Sequence, residues 1–592
     1  MAAKKTSRLR SREWFDIPGD PSTTALHIER YTNFGISSEE LRSGKPIIGI
    51  AQTGSDLVPC NRIHINLALR VREGIREAGG IALEFPVHPI QESGKRPTAA
   101  LDRNLQYLGL VEVLFGYPID GVVLTIGCDK TTPALLMAAS TVDIPSICLS
   151  SGPMMNGYWK GERAGSGTIV WKARKLLATG EIDEEEFIKI VVDATTSPGF
   201  CNTMGTATTM NSLAEGLGMS LPGCAAIPAP LSERIEMSYR TGLRIVEMVK
   251  KDLTPSKILT RKAFENSIVL NSAIGGSTNA PIHINAIARH VGVELEIEDW
   301  EKVGLEIPML VNMQPGGKYL GEDFHRAGGV PAVMNALLKA GKLHDSAITV
   351  NGKTVAENYA ETTTQDTDVI RTFQNPMLEN AGFIVLKGNI FDSAVMKTSV
   401  ISDSFRSQYL DKPGSKNVFE VRAIVFEGPE DYRKRINDPQ LNINVDCILV
   451  IRGCGPVGYP GSAEVVNMQP PDKLIRKGVL ELPTLGDGRQ SGTSGSPSIL
   501  NATPESAVGG GLALLKTGDM LRIDLNQGSL DVMLDKSELQ KRQDELKTEE
   551  IENQTPWQEI YRNTVGQLSS GGIIELAAKY RKIRNTIPRH SH

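Results

Sequence analysis

Between residues 45 and about 373, apolar positions come in short unbroken runs that end at Gly, Cys, Asn or Ser and then give way to amphipathic stretches. PIIGIAQT (46–53) precedes INLALRVREGIREAGG (65–80), and GVVLTIGCDK (121–130) precedes TPALLMAAS (132–140). Runs of this kind are buried on both faces, and their alternation with helical patterns predicts a parallel sheet of βαβ units. Further helices are predicted over 184–192, 208–217 and 231–250, the last with apolar residues at mixed i, i+3 and i+4 spacings. Ligands of such sheets gather where the strands end.

From about residue 375 the texture changes. AGFIVLKGNI, FEVRAIVFEG, CILVIRGCG and DMLRIDLNQG are separated by Gly, Pro, Asp and Asn turns, with few long helical patterns between them. The expected fold class is therefore α/β, with an N-terminal parallel-sheet region followed by a mostly β, barrel- or sandwich-like C-terminal domain. The division reads as a polar arm over 1–40 with Trp14 and Phe15 as anchors, an α/β domain over 41–374 and a β-rich domain over 375–592. The stretch 555–578 reads as helical again, ahead of a His-containing tail, IPRHSH. The arm is expected to pack on something larger, with another subunit as one candidate. No fixed-period repeat interrupts this plan.

Size and charge narrow the function. A chain of 592 residues with 40% hydrophobic and 22% charged residues has room for more than one core. A formal net charge of -5 gives no basic field for nucleic acid, so a small polar metabolite is the expected partner. The basic start lacks the apolar core of a secretory signal and no later stretch offers eighteen consecutive apolar residues, which predicts a cytoplasmic protein without a membrane span. Seven scattered cysteines argue for reduced thiols rather than a disulfide framework.

Four strand-end segments concentrate polar residues and glycine: SDLVPCNR around Cys60, GCDKTTP around Cys128, GFCNTMGTA around Cys201 and GYPGSAEVVNM around Glu464. None has zinc-finger or ferredoxin spacing, and a lone cysteine ending a buried strand is usually a small hydrophobe. What sets these three thiols apart is their neighbours, Asn61, Asp129 with Lys130, and Asn202 with Thr203, which suit a ligand better than a core position. Cys148 and Cys447 have bland surroundings, and Cys224 and Cys454 read as structural.

GCDKTTP, CNTMGTA, GGSTNA, GYPGSAEV and GDGRQSGT together resemble the dihydroxyacid and sugar-acid dehydratases, in the family's order and over nearly the whole chain. The resemblance implies that Cys60, Cys128 and Cys201 hold an iron–sulfur cluster, 2Fe-2S in the sugar-acid branch and 4Fe-4S in other members, with one iron open to a departing hydroxyl. It places Glu92, Asp129, Lys130 and Glu464 around a Mg²⁺, with Lys130 carbamylated by CO₂ so that it becomes an oxygen ligand. Without that modification Lys130 would pair with Asp129 or bind a substrate carboxylate. It names Ser491, acting as an alkoxide, as the base that removes the C2 proton; alone, Ser491 would read as a turn hydroxyl.

The implied activity is a hydro-lyase acting on a sugar acid, an aldonate such as D-xylonate, L-arabinonate or D-gluconate, to give the 2-keto-3-deoxy acid, in a homo-oligomer (dimer or tetramer). SREWFD, the segment 85–105 and PRHSH favour the pentonate branch. The alternative within the same chemistry is a dihydroxy-acid dehydratase acting on 2,3-dihydroxyisovalerate, whose pocket must be apolar beyond C3. An iron–sulfur sensor would need no base, and a phosphate-binding α/β enzyme would need a glycine loop that is absent after the first strand. Ser277, Thr278, Asn279 and His283 open a helix suited to a polyol or carboxylate, His283 reading equally as a core histidine. Lys318 and His325 carry no expected role, and His590 and His592 read as tail.

Overall fold

The computed structural model describes residues 9–547 and 551–590. Four parallel strands, β1 (Ile47–Gln52), β2 (Ile81–Pro86), β3 (Gly121–Ile126) and β4 (Ser146–Ser150), form a sheet in the order β2-β1-β3-β4. Every residue of β1, β3 and β4 is buried, as expected for strands covered on both faces by helices. The helices His64–Glu77, Ala99–Gly116 and Thr131–Val142 make the crossovers. The predicted helices appear at Glu184–Asp193, Thr206–Gly216 and Ser232–Lys250.

A small hairpin, β5 (Tyr158–Trp159) and β6 (Glu162–Arg163), leads into the helix Thr168–Thr179, which pairs with Glu184–Asp193. These two helices share a core of their own, Ala164, Ile169, Ala173, Ile182, Ile190 and Ala194, separate from the main one.

The C-terminal half closes into an eight-stranded barrel: β7 (Phe383–Gly388), β8 (Phe391–Lys397), β9 (Val418–Glu427), β10 (Cys447–Arg452), β11 (Thr484–Gly486), β12 (Ser498–Thr503), β13 (Met520–Asp524) and β14 (Ser529–Val532). Their order around the barrel is β10-β11-β12-β8-β7-β14-β13-β9, with β9, β10, β11 and β12 running parallel. Closure leaves no exposed sheet edge. Of the two β architectures the turn pattern allowed, the barrel is the one formed.

The arm packs on its own chain. Phe15 is fully buried, sits edge-on to Tyr31 with ring centroids 5.2 Å apart, and joins Ile36, Leu41, Ile47 and Ile81 at the sheet's rim. Arg10 donates to the carbonyls of Leu114, Phe115 and Ile119, and the Ser11 amide to Asp120.

The helix expected over 555–578 is shorter than its pattern. Only Pro556–Arg562 is α-helical; Gly571 and Gly572, with φ of +95° and +55°, turn the chain, and short 3₁₀ segments follow. Tyr561, Ile573 and Ile574 then bury themselves in the core of the α/β half, so the chain ends on the half where it began. Among the described residues, no helix is long and apolar enough to cross a membrane.

Candidate active site

The loops at the C-terminal ends of β1, β2 and β3 face the barrel, and between them they carry most of the singled-out residues. Cys60 lies in the 3₁₀ turn Pro59–Asn61 after β1, Glu92 in the loop after β2, and Cys128, Asp129 and Lys130 between β3 and the helix Thr131–Val142. Cys201 sits ahead of the helix Thr206–Gly216, and Glu464 and Ser491 come from the barrel loops after β10 and β11.

Asn61 organises the thiol side. Its Oδ1 accepts from the Cys128 amide at 2.7 Å, and its Nδ2 donates to Thr53 at 3.0 Å and Thr131 at 3.3 Å. Gly127 is required beside it, because a Cβ there would come within 2.3 Å of both Asn61 Oδ1 and Ser151 Oγ. Asn211 ties the third loop in by donating to the Gly127 carbonyl at 2.8 Å. Cys60 hydrogen-bonds Cys128, and Cys128 and Asp129 both act on Cys201, so the three predicted thiols are neighbours.

The Cys60 hydrogen bond and burial push Cys128 far above the usual thiol range, and burial with Asp129 pushes Cys201 up to about 12. Three converging cysteines are the donor set that an iron–sulfur cluster would use. Among the described residues all seven cysteines are free thiols. Cys148 and Cys224 are buried, the latter 3.6 Å from the Arg234 guanidinium.

Next to the thiols, carboxylate oxygens of Glu92, Asp129 and Glu464 lie within 4.8 Å of one another. The fully buried Lys130 Nζ stands among them, 3.0 Å from Glu92, 3.6 Å from Glu464 and 3.7 Å from Asp129. Its nearest acid is thus Glu92 rather than Asp129. At 3.0 Å the Lys130–Glu92 contact is a close ion pair, buried at its lysine end. Arg489, 1% exposed, adds a second cation at 2.8 Å from Glu464 and 3.5 Å from Glu92.

These charges divide the acids. Burial raises Glu92, but Lys130 and Arg489 outweigh it and bring the carboxyl below its ordinary value. Burial, with Glu92 and Glu464 against the pull of Lys130, lifts Asp129 to about 7, and burial and Glu92 lift Glu464. Three converging carboxylates suit a hard divalent cation such as Mg²⁺, whose charge would favour their ionised forms.

Asn279, at the start of the helix Ala280–Val291, joins the pocket to the barrel. Its Nδ2 donates to Glu464 at 3.0 Å, to the Gln490 carbonyl at 2.9 Å and to Thr206 at 3.0 Å, while its Oδ1 accepts from Arg489 at 3.0 Å. The adjacent Ser491 is half-buried; its amide donates to Asn467 at 3.3 Å and its Oγ lies 3.0 Å from Thr493 Oγ1. Gly492 abuts Thr206, where a Cβ would meet the backbone nitrogen at 2.5 Å, so the Ser491 loop lies against the helix that follows Cys201.

His283 is fully buried: Arg103 donates to its Nδ1 at 3.0 Å, and its Nε2 has no hydrogen-bond partner. Burial, then Lys130, hold it well below the ordinary imidazole range, so it is neutral. It is only half satisfied as a core histidine. His325 pairs with Glu233 at 2.8 Å and Lys318 lies in the loop folded on Asn312, neither of them at the site. His590 sits by His27, ring centroids 6.2 Å apart, in a groove with Trp14 and Arg30; His592 lies outside the described residues.

Residues 45–358 match the dihydroxy-acid/6-phosphogluconate dehydratase N-terminal model and residues 368–572 the C-terminal one. The chain belongs to the dihydroxy-acid/6-phosphogluconate dehydratase family. It is thereby a hydro-lyase, as the motif set implied. Curated members of this dehydratase family resemble it to different degrees. A D-xylonate dehydratase of Caulobacter vibrioides is 61% identical over 592 residues, 100% of this chain and 99% of the relative. An L-arabinonate dehydratase of Rhizobium leguminosarum bv. trifolii is 45% identical over 90% of each chain. A dihydroxy-acid dehydratase of Caldanaerobacter subterraneus subsp. tengcongensis is 36% identical over 91% of this chain and 95% of the relative.

Proposed function

We propose that this dehydratase acts on sugar acids, taking a pentonate such as D-xylonate to the 2-keto-3-deoxy acid, with L-arabinonate and D-gluconate as further candidates. The observation that carries the substrate class is the 61% identity over the full length to a relative named for D-xylonate, against 36% to a dihydroxy-acid dehydratase. The chemistry rests on the convergence of three thiols, three carboxylates and a lysine beside Ser491.

Cys60, Cys128 and Cys201 would hold the cluster, 2Fe-2S by the resemblance and 4Fe-4S as the other form, and Glu92, Asp129, Glu464 and a carbamylated Lys130 would hold Mg²⁺. When bound, the cluster supplies Lewis acidity toward the C3 hydroxyl and Mg²⁺ offsets the charge of the substrate carboxylate. Ser491 Oγ, ionised beforehand to the alkoxide that the Thr493 hydroxyl and amide stabilise, takes the C2 proton and becomes a neutral hydroxyl. Arg489 and Asn279 keep the Glu464 carboxylate oriented while the charge in the pocket changes. Loss of the C3 hydroxyl as water leaves the enol, which becomes the 2-keto acid, with no net redox change. The protein works as a soluble homo-oligomer in the cytoplasm.

The test is anaerobic purification with iron and Mg²⁺ quantified, followed by a 2-keto-acid assay over D-xylonate, L-arabinonate, D-gluconate and 2,3-dihydroxyisovalerate. The highest kcat/KM is expected on a pentonate. Turnover confined to the isovalerate would overturn the substrate assignment.

A further inference from the structure

We propose that Trp171 and Thr493 are positioning residues that tune the basicity of Ser491 through a two-step hydrogen-bond relay. This rests on Ser491 being the base. Trp171 Nε1 donates to Thr493 Oγ1 at 3.0 Å, Thr493 Oγ1 lies 3.0 Å from Ser491 Oγ, and the Thr493 amide donates to the same oxygen at 3.4 Å.

The direction of the relay follows from what each group can do. An indole N–H only donates, so it occupies an acceptor site on Thr493 Oγ1. An ionised serine only accepts, so in the reactive state the Thr493 hydroxyl proton points at Ser491 Oγ. The indole N–H polarises that hydroxyl and strengthens its bond to the anion.

The threonine is held for this purpose. A Cβ on Gly167 would come within 2.6 Å of Thr493 Cγ2 and one on Gly205 within 3.1 Å, so the methyl is wedged between two glycines and the hydroxyl has little rotational freedom. Gly167 immediately precedes the helix Thr168–Thr179 and Gly205 the helix Thr206–Gly216. Trp171 lies in the first turn of the former helix, whose small core is separate from the main one. The relay thus links the seating of that helical pair to the proton affinity of the base.

The experiment uses the holoenzyme with matched iron and Mg²⁺ content and follows D-xylonate dehydration across pH. Trp171→Phe keeps the ring and removes the N–H; Thr493→Val keeps the shape and removes the hydroxyl; Thr493→Ser restores it. Because Ser491 must be ionised to act, activity rises with pH through its pKa, and weaker donors move that ascending limb to higher pH. A bond to a charged acceptor is worth about tenfold or more, so Thr493→Val should lower kcat at neutral pH by about tenfold and shift the limb by about one unit. Trp171→Phe should cost about threefold with a shift of about half a unit, with KM nearly unchanged in both. Thr493→Ser should lie close to the parent, and Trp171→Phe should add little in the Thr493→Val background. An unshifted limb in both Thr493→Val and Trp171→Phe overturns the relay, even if kcat falls. Parent-like kcat in Ser491→Ala overturns the base itself, whereas an inactive Ser491→Ala beside unshifted relay variants overturns the relay alone.

Discussion

Lys130 and Lys397 are both buried lysines. Lys130 Nζ has three carboxylates within 3.7 Å. Lys397, at the end of β8, donates to the Gly275 carbonyl at 2.8 Å, and burial alone pulls its pKa down to about 7. With the lysine unmodified, the first pocket surrounds an ammonium with the three carboxylates that would otherwise face a metal cation. The seam that offers one carbonyl favours the neutral amine. Burial is common to both; what separates a reactive pocket from a structural seam here is the company of charges.

Removing Lys130 should break the comparison most severely. Turnover should be lost in Lys130→Met, and in metal-free protein with the lysine unmodified the variant leaves three clustered carboxylates with Arg489 as the remaining cation, so stability should fall by about 3–5 kcal/mol, read by urea unfolding. A variant that kept parental activity would show that Lys130 has no part in the site. Ser491→Ala should lower kcat by about 10²–10⁴-fold while unfolding at nearly the parental urea concentration, because the hydroxyl serves chemistry rather than packing.

Asn279→Ala removes the amide shared by Glu464, Gln490 and Thr206, and should lower kcat about tenfold and weaken Mg²⁺ binding in calorimetry. Unchanged Mg²⁺ affinity would mean that Glu464 is held without it.

Lys397→Met has the smallest effect on activity and the clearest effect on pH dependence. Between about pH 7 and 10.5 the unfolded chain holds a proton that the folded chain has released, so the parent gains stability as pH rises through this window. The buried-charge penalty is fully present below pH 7 and gone above 10.5. The variant should therefore be the more stable protein at pH 7, with its advantage shrinking at up to about 1.4 kcal/mol per pH unit. Parallel stability curves for parent and variant would show that Lys397 is not desolvated in solution.

The elements were legible wherever periodicity alone decides them. PIIGIAQT and GVVLTIGC became β1 and β3, and the four turn-separated segments after residue 375 became β7, β9, β10 and β13. The C-terminal stretch was overread, because its apolar spacing is helical while Gly571 and Gly572 supply the left-handed turns that end it. At the site, the thiols and acids stood out through motif resemblance rather than spacing. Arg489, Arg103, Thr493 and Trp171 were missed as individuals. Their roles depend on partners such as Asn279 for Arg489 and Thr493 for Trp171, more than two hundred residues away, and no local pattern encodes such a meeting. GDGRQSGT held part of the signal, since an arginine beside the presumed base could have been asked for its counter-charge.

The order in which the pocket's parts occur along the chain has a consequence for its biosynthesis. Cys60, Cys128 and Cys201, with Glu92, Asp129 and Lys130, all fall at or before residue 201 of the 592 and leave the ribosome early. Glu464, Arg489 and Ser491 emerge only after β7 to β10, half of the barrel's strands, have been translated. A growing chain thus carries Cys60, Cys128 and Cys201 and Lys130 with two of its acids before it has Glu464 or Ser491. Under the proposed assignment, a half-made chain therefore holds the thiols without Ser491 and has no base with which to begin turnover.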